Sequence, residues 1–289
     1  MGAARELRAR IDSVEETRKI TNAMRLIATA RLRWAAGKLE GTAPYFRALR
    51  EQMLPAIRSG CGGEEDKNEK EAPSGPPGLL VIGAERGMAG AFNTNVMQEA
   101  LGIWKRSPET RIFVVGDRGR RFLQSRGVPV EAEGCFPGGR PDMAQARRIC
   151  TLLLDRFDRG EIGALRLLYT HMKTRLDLEL CSSQLLPLTG AGDGEAPRET
   201  AFEFVPGRGA VLEDLIPAVL SGYVYCALLS SYGAEQSARV QAMESATRNA
   251  DALLDKLELA LRRERQAAVT REITEVSAGA LARRQETES

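Results

Sequence analysis

The sequence is poor in aromatic residues and contains a single histidine. Aromatic residues make up 5% of the 289 residues, a low share that favours long helices over a sheet-dominated body. A single histidine, His171, excludes sites built from several histidines and leaves one candidate for a histidine-based triad. No serine or cysteine nucleophile accompanies it in a fitting local context. We therefore expect a structural histidine at the end of a strand and no catalytic residue.

Closely spaced cysteines and a charge excess are missing as well. The five cysteines have no CxxC spacing, which is typical of reduced thiols and argues against a zinc ribbon or a disulfide framework. The formal net charge is +2, so no global excess of positive charge points to nucleic acid. The sequence shows neither a run of about 18 apolar residues nor a secretory signal pattern. We expect a protein that is soluble, or peripheral to a membrane at most.

Apolar residues spaced by three and four predict a first helix from about residue 4 to residue 57. A helix of this length spans about 80 Å, well beyond the usual globular length. Its predicted apolar stripe consists of Leu7, Ile11, Val14, Ile20, Ala23 or Met24, Ile27 and Ala30. The first 50 residues hold eleven Arg or Lys and five Asp or Glu. Because this basic helix lacks a dense basic run, contact with an acidic protein partner is favoured over nucleic acid.

In the middle of the chain, short apolar runs alternate with helical stretches. Buried strands are predicted at 79–84, 111–116 and 163–170, and helices at 92–105, 118–125 and 143–158. Alternating strands and helices form βαβ units, which predicts a small α/β domain with a parallel-type sheet. Two further segments, 176–188 and 202–207, are candidates for an edge strand and a last short strand.

A second long helix is predicted from about residue 211 to residue 284. Its seam consists of Ala234, Ala238, Ala242, Ala246 and Ala250, followed by Leu253, Leu257, Leu261, Ala268 and Ile273. Small residues let another helix approach closely, and two terminal helices can cover each other's stripes as an antiparallel coiled coil. Wrapping of both helices around the α/β domain is the alternative. Length disfavours it, because a domain of about 130 residues is only about 30 Å across.

The predicted fold is therefore of the α/β class, with a long antiparallel coiled coil attached to a small α/β domain. We divide the chain into an N-terminal shaft helix (1–58), an acidic linker rich in Pro and Gly (59–78), the α/β domain (79–206) and a C-terminal shaft helix (207–289). Composition shifts at residues 59–78 and 188–200 mark the boundaries of the α/β domain.

A turn that contains Gly83, Gly87 and Gly90 follows the first predicted strand, where phosphate-binding loops usually lie. Its spacing matches neither GxGxxG nor GxxxxGK[ST], so tight packing explains these glycines better than a nucleotide site. The acidic residues at 64–71 alternate with Lys and Asn and lack the EF-hand pattern. We expect solvated charge there, and neither a metal nor a cofactor in the protein.

Four segments resemble the gamma subunit of F-type ATP synthases. They are RARIDSVEETRKITNAMRLIATARLR at 8–33, LLVIGAERGMAGAFNTNV at 79–96, AEQSARVQAMESATRNADALLDKL at 234–257 and RQAAVTREITEVSAGALA at 265–282. The resemblance covers essentially the whole chain and keeps the order of the family's motifs. The first and last motifs are specific to this family, whereas the glycine turn alone would not be.

The resemblance implies a rotor without catalytic residues of its own, the central stalk of the enzyme. In this family the terminal helices stand inside a ring of alpha and beta subunits, and the α/β domain docks on the epsilon subunit and the c-ring. Rotation couples ion flow to ATP synthesis or hydrolysis. The sequence shows no closely spaced cysteine pair of the chloroplast kind and no transit peptide. The expected location is thus a bacterial cell membrane, peripheral on its cytoplasmic side, with membrane contact only through the complex.

The resemblance also implies which residues contact the alpha and beta ring. The first-helix motif would meet the acidic lever loop of beta, its C-terminal counterpart would face the same region, and a last group would meet the catch and bearing regions. These positions are, in order, Arg18, Lys19, Thr21 and Met24, then Glu235, Gln236 and Arg239, then Arg265, Gln266, Thr270, Thr274 and Glu275. For the polar residues of the C-terminal helix, a solvent-exposed face without a partner is the alternative.

Two other functions compete with the rotor hypothesis. A stand-alone α/β nucleotide-binding protein with coiled-coil arms predicts saturable nucleotide binding at residues 83–93. A coiled-coil tether for nucleic acid predicts salt-sensitive DNA binding, with a slope that reflects several phosphate contacts. The rotor hypothesis predicts neither for the isolated chain.

Overall fold

The computed structural model describes residues 2–58, 75–174, 177–187 and 208–287. Its elements are α1 (Gly2–Arg58), β1 (Pro77–Ile82), α2 (Phe92–Arg106), β2 (Arg111–Val115), α3 (Asp117–Ser125), β3 (Val130–Phe136), α4 (Met143–Asp158), β4 (Ala164–Met172), β5 (Leu178–Leu186) and α5 (Arg208–Thr287). The predicted terminal helices, the helices between them and the predicted strands at 79–84, 111–116 and 163–170 are confirmed. The acidic residues at 64–71 and the predicted short strand at 202–207 lie outside the described residues.

The strands form one five-stranded sheet in the order β3-β2-β1-β4-β5. Strand β1 runs parallel to both β2 and β4, and β2 runs parallel to β3. Strand β5 is antiparallel to β4 at one edge, which confirms the predicted edge strand. Strand β3 forms the other edge and was not predicted, because it is only partly buried and its apolar alternation is weak.

Alternate residues of β1 point to opposite faces of the sheet, where they join two separate apolar cores. Leu79 and Val81 pack with residues of α2 and α3 on one face. Leu80 and Ile82 pack with residues of α4 and α5 on the other. The side chains that α5 places in this second core are Leu220, Val224, Ala227 and Leu228. The beginning of the C-terminal helix is therefore part of the α/β core.

The chain divides into two compact units. The first, Met1–Ile27 with Gln241–Ser289, is called the helical unit here; the second, Ala28–Val240, is called the sheet unit. In the helical unit the Arg18 guanidinium lies 3.2 Å from the Asp251 carboxylate, and the Thr21 and Thr247 hydroxyl oxygens are 2.9 Å apart. Because residue numbers fall along α5 as they rise along α1, the two helices pair antiparallel in this unit.

The same antiparallel pairing occurs inside the sheet unit. The Trp34 ring meets the Tyr232 ring edge-on, with 6.0 Å between their centroids. Further along α1, Phe46 lies so close to Gly222 that a Cβ atom there would stand 2.1 Å from the Phe46 ring. In each unit, therefore, α1 and α5 form the predicted antiparallel helix pair.

The helix pair uses smaller residues at its contact than the sequence stripe predicted. Ile20 and Ile27 are 56% and 52% exposed, whereas Thr21 is half-buried and Ala28 is 1% exposed. Thr21 lies two helical turns after Val14, and Ala28 lies two turns after Thr21, so these three residues share one face of α1. Ile20 and Ile27 therefore fall beside the seam. On α5 the seam likewise passes through the buried Leu254 and leaves Leu253 exposed. On α1, Thr21 and Ala28 are smaller than the isoleucines beside them and permit close approach of the two backbones; on α5 the contact exchanges one leucine for its neighbour.

By length and hydropathy alone, helix α5 could cross a membrane. Within Leu215–Ala278 an 18-residue window reaches a mean hydropathy of 1.4, and 61% of that window is buried inside the fold. A helix that is buried in the core of a soluble protein can be equally long and apolar. Since most of the window is already packed against the protein, we attribute its apolar character to packing.

Candidate functional site

The glycine turn after β1 is tightly packed at Gly83, whereas Gly87 and Gly90 line a cavity of about 280 Å³. A Cβ atom at Gly83 would stand 2.6 Å from Cε of Met97, and the Gly83 backbone N–H donates to the Val115 carbonyl at 2.9 Å. The Asn93 side-chain oxygen accepts from the Ala84 N–H at 3.0 Å. These contacts confirm the prediction that Gly83 is required for tight packing.

His171 connects β4 to α5. Its Nδ1 lies 3.1 Å from the Ser230 hydroxyl oxygen, which also accepts the Met172 backbone N–H at 3.0 Å. Since that hydroxyl still has its own proton, it can donate to Nδ1. This arrangement is the structural role predicted for His171. In the part of the chain that the structure describes, no group of three His, Cys, Asp or Glu is placed to hold a metal ion.

The predicted site residues Glu235 and Arg239 form a buried ion pair in the sheet unit. Their charged groups are 2.6 Å apart, and the two side chains are 9% and 11% exposed. Arg239 Nη2 also donates to the backbone carbonyls of Arg86 and Gly87, at 3.3 and 3.1 Å. Burial raises the pKa of the Glu235 carboxyl, and the neighbouring Arg239 opposes that shift. The pair thus ties α5 to the glycine turn.

A cleft of about 610 Å³ opens beside this ion pair, between α1, α5, the turn after β1 and the loop before α4. The Arg140 guanidinium lies over the Trp34 ring, 3.9 Å from its centroid, and Tyr232 meets the same ring edge-on. Arg31 and Arg86 also line the cleft, as does the predicted site residue Gln236. We call it the arginine–aromatic cleft. It is large enough for a small ligand.

No pattern in the sequence predicted this cleft. Trp34, Arg140 and Tyr232 lie on three different elements and far apart in the chain, and none belongs to a motif. Local spacing carries no signal for such a site, because only the tertiary fold brings the three side chains together.

The predicted site residues of the first helix lie on the helical unit with different degrees of exposure. Arg18 and Lys19 are exposed, and Arg18 pairs with Asp251. Thr21 and Met24 are half-buried, with Thr21 facing Thr247 of α5. Two residues of this group therefore lie at the contact between the helices, and the two basic residues lie on the surface.

The last group of predicted site residues is exposed throughout. It comprises Arg265, Gln266, Thr270, Thr274 and Glu275. The Thr270 and Thr274 hydroxyls donate to carbonyls one turn earlier in their own helix, at 2.9 and 2.8 Å. Between these polar residues Val269 and Ile273 are 54% and 61% exposed. The sequence seam had placed Ala268 and Ile273 at a helix contact, and this is wrong for the chain by itself because both are exposed.

Helix α5 continues past the start of α1 within the helical unit. Arg18 lies opposite Asp251 and α1 begins at Gly2, so α1 reaches about the level of Ala267, because both helices have the same rise per residue. Every residue from 265 to 278 is exposed. We call residues 265–278 the α5 tip. An unpaired helical segment as short as the α5 tip is only marginally stable in water, because its own hydrogen bonds contribute little net stability.

Comparison with known proteins identifies close relatives over the whole chain. A family model described as ATP synthase matches residues 3–282. The ATP synthase gamma chain of Exiguobacterium sibiricum is 34% identical over 285 residues, which cover 98% of this chain and 99% of the relative. That of Desulforamulus reducens is 32% identical over 282 residues, with coverage of 98% and 99%.

Solved structures share the fold. The rotor of the Euglena gracilis mitochondrial ATP synthase matches with a TM-score of 0.67 at 15% identity, covering 93% of this chain and 99% of that one. The central stalk and c-ring structure of the Tetrahymena thermophila mitochondrial ATP synthase contains a chain that matches with a TM-score of 0.60 at 21% identity, covering 78% and 99%.

Proposed function

Since this chain belongs to the family of ATP synthase gamma chains, we propose that it is the central-stalk rotor of an F-type ATP synthase. It couples ion flow through the membrane sector to ATP synthesis or hydrolysis on the ring of alpha and beta subunits. Its further partners are the epsilon subunit and the c-ring. It supplies no catalytic residue itself, and it lies on the cytoplasmic side of a bacterial membrane, which it contacts only through the complex.

The α5 tip is the observation that carries this proposal. Val269, Ile273 and Val276 follow one another at steps of four and three residues and are each more than half exposed. This spacing puts them on one face of the helix, where apolar side chains mark an interaction surface. A helix that is exposed on all sides needs a partner that surrounds it, and the bore of an alpha and beta ring is such a partner.

The polar residues of the tip suit a surface that must move. Exposed side chains such as Arg265 and Gln266 can form charge-assisted contacts with the ring. Each contact is weak in an exposed setting, so it can break at every step of rotation. Arg18 and Lys19 are likewise exposed on α1, and we assign them to the acidic lever loop of beta.

Glu235, Gln236 and Arg239 differ from the other proposed contact residues because they are buried. Arg239 donates to Glu235 and to two carbonyls of the glycine turn. We assign this group the same region of beta, and propose that the ion pair holds the turn as a fixed surface there. A rigid surface transmits force better than a mobile charge would.

Reconstitution tests the proposal directly. The chain is mixed with the alpha and beta subunits of its host, the assembly is isolated, and ATP hydrolysis is compared with that of the two subunits alone. We expect a stable complex with one copy of this chain and a gain of multisite ATPase. Failure to co-assemble would contradict the proposal.

The competing nucleotide-binding hypothesis is tested with the isolated chain. Packing at Gly83 leaves no space for a phosphate at that glycine, although Gly87 and Gly90 line a cavity of about 280 Å³. We expect the wild type and the Gly83→Ala variant to respond alike to titration with ATP, because no phosphate site lies at Gly83. Saturable binding that is lost when Gly83 is replaced by alanine, with the chain still folded, would favour the competing hypothesis.

A further inference from the structure

We propose that the arginine–aromatic cleft of the sheet unit binds a small oxyanion of the phosphate class. The site is separate from the α5 tip, but its wall includes Glu235, Gln236 and Arg239, which we also assign to the region of beta. The proposal therefore concerns the chain before it assembles and does not depend on the rotor function.

Positive charge in the cleft exceeds negative charge. Arg31, Arg86 and Arg140 are exposed side chains at its surface. Among the described residues, no carboxylate lies within 4.0 Å of these guanidinium groups. Arg140 instead lies over the Trp34 ring. Three guanidinium groups around one cleft repel one another unless an anion lies between them.

The two carboxylates of the cleft are already engaged. Glu85 Oε2 accepts the backbone N–H groups of Asp117 and Gly138, at 3.1 and 2.7 Å. A Cβ atom at Gly138 would stand 2.9 Å from Cβ of Glu85, so glycine is required for this contact. Glu235 is paired with Arg239. Both acids keep some negative charge, and Arg31 helps Arg239 to oppose the raised pKa of Glu235. Four arginines nevertheless line the cleft against two acids, so positive charge remains in excess.

Guanidinium groups favour a particular ligand chemistry. Their planar fork of N–H donors matches the oxygen atoms of phosphate and carboxylate groups. The wall also contains Gln236, which is 1% exposed and whose Oε1 has no donor among the described residues. A phosphate that carries a proton offers both acceptors for the arginines and a donor for such an oxygen. This combination favours phosphate over a fully ionised carboxylate.

The size of the cleft fits a small molecule. A volume of about 610 Å³ lies within the range of pockets that bind small ligands and exceeds the needs of a single phosphate. Two sources share this chemistry, free phosphates and the phosphate groups of a nucleotide. Inorganic phosphate, pyrophosphate and ADP are therefore separate probes in the experiment.

Trp34 provides the readout, because Arg140 lies over its ring. The chain has two tryptophans, so the Trp104→Phe variant of the full chain reports on Trp34 alone. Pyrophosphate is titrated at constant ionic strength, with sodium chloride as the reference salt. We expect a saturable change in fluorescence and a higher melting temperature of the full chain. A response that is linear, or equal to that of chloride, overturns the proposal.

Substitutions locate the site. Arg31→Gln and Arg140→Gln should each weaken pyrophosphate binding about tenfold, the loss expected for one charge-assisted contact. Arg140→Lys, which keeps the charge but removes the fork, should weaken it less. Arg148→Gln, on an exposed position of α4, is the matched control and should bind as before. Equal affinity in all these variants, with folding verified by circular dichroism, overturns the proposal.

The remaining probes identify the source of the anion. Tighter binding of ADP than of pyrophosphate points to a nucleotide, and the reverse order points to a free phosphate. Both results support the proposal. Saturable binding of hexaglutamate without any binding of the phosphate probes would make the cleft a docking site for an acidic protein segment, and the proposal would be wrong.

Discussion

The two units of this chain bury their large apolar side chains to different extents. In the sheet unit, Phe113 and Ile149 are at most 1% exposed. In the helical unit, Ile20, Ile273 and Val276 are each more than half exposed. A unit with a closed core folds on its own contacts, whereas exposed apolar side chains mark a surface that another protein covers. The helical unit therefore offers apolar surface to the partner that we propose, whereas the core of the sheet unit is already closed.

Two ion pairs of α5 show the same contrast. Glu235 with Arg239 and Glu244 with Arg248 both have the i,i+4 spacing. The first pair, in the sheet unit, is buried with 2.6 Å between its charged atoms; the second, in the helical unit, is exposed with 3.8 Å. Two ion pairs with the same spacing are thus expected to contribute differently to the free energy of unfolding, because water screens the exposed pair.

The largest expected effect comes from charging the α5 tip. Gln266→Glu combined with Thr270→Glu should reduce coupled ATP synthesis about tenfold or more, because carboxylates are costly in the contact that we propose between the tip and the ring. The free energy of unfolding of the isolated chain should change by less than about 0.5 kcal/mol, since both residues are exposed. Synthesis in reconstituted vesicles and urea denaturation measure the two quantities.

The chain offers a matched control for this double variant. Thr94 and Gln98 are an exposed threonine and glutamine at the same spacing on α2 of the sheet unit. Thr94→Glu with Gln98→Glu should leave coupled synthesis close to that of the wild type. Undiminished synthesis in the tip variant would contradict the roles assigned to Gln266 and Thr270.

Removal of one partner from each ion pair sharpens the comparison of the units. Arg239→Ala should lower the free energy of unfolding by about 3 kcal/mol, because it leaves a buried carboxylate without its partner. Arg248→Ala, the matched change in the exposed pair, should cost less than about 1 kcal/mol. Chemical denaturation of both variants measures the difference. Similar costs would show that burial does not separate the two pairs.

A glycine substitution tests the close helix contact of the sheet unit. Gly222→Ala should destabilise the protein by about 2 kcal/mol, because its Cβ would stand 2.1 Å from the Phe46 ring. Gly102→Ala on α2 is the control, since no heavy atom lies within 4 Å of its new Cβ. There the better helix propensity of alanine should stabilise the protein by about 0.5 to 1 kcal/mol. Equal effects, measured by thermal unfolding, would contradict the contact.

The smallest expected effect concerns pH. Burial raises the pKa of the Glu235 carboxyl in the folded chain, so its protonated form is favoured by folding. The associated stability is complete below the pKa of the unfolded chain and is lost as pH rises through the folded value. Between about pH 4 and pH 7, the wild type should therefore lose unfolding free energy relative to Glu235→Gln. A constant difference between the two proteins would exclude a raised pKa.

Sequence periodicity was sufficient for most of the elements. Three buried strands could be predicted because each is a short apolar run between turn signals, and α4 because its apolar residues keep helical spacing. Strand β3 could not, because it lies at the edge and alternates weakly. The stripe of α1 was assigned to Ile20 and Ile27, since hydrophobicity alone ranks them above Thr21. Packing selected Thr21 because the helix partner is close.

The candidate sites show the same limit. The α5 tip could be assigned from the resemblance, but only the structure shows that each of its residues is exposed. The burial of Glu235 and Arg239 could not be predicted either. Polar side chains at these positions predict an exposed helix face. In the fold, however, the glycine turn packs against them.

The amino-acid sequence by itself determined the family, the two long helices and the parallel-type sheet, because spacing and motif order are local properties of a chain. The tertiary structure alone decided which residues face the seam, which ion pair is buried and where Trp34, Arg140 and Tyr232 meet. Those outcomes depend on distances between segments remote in sequence. A one-dimensional pattern does not contain such distances, and only packing sets them.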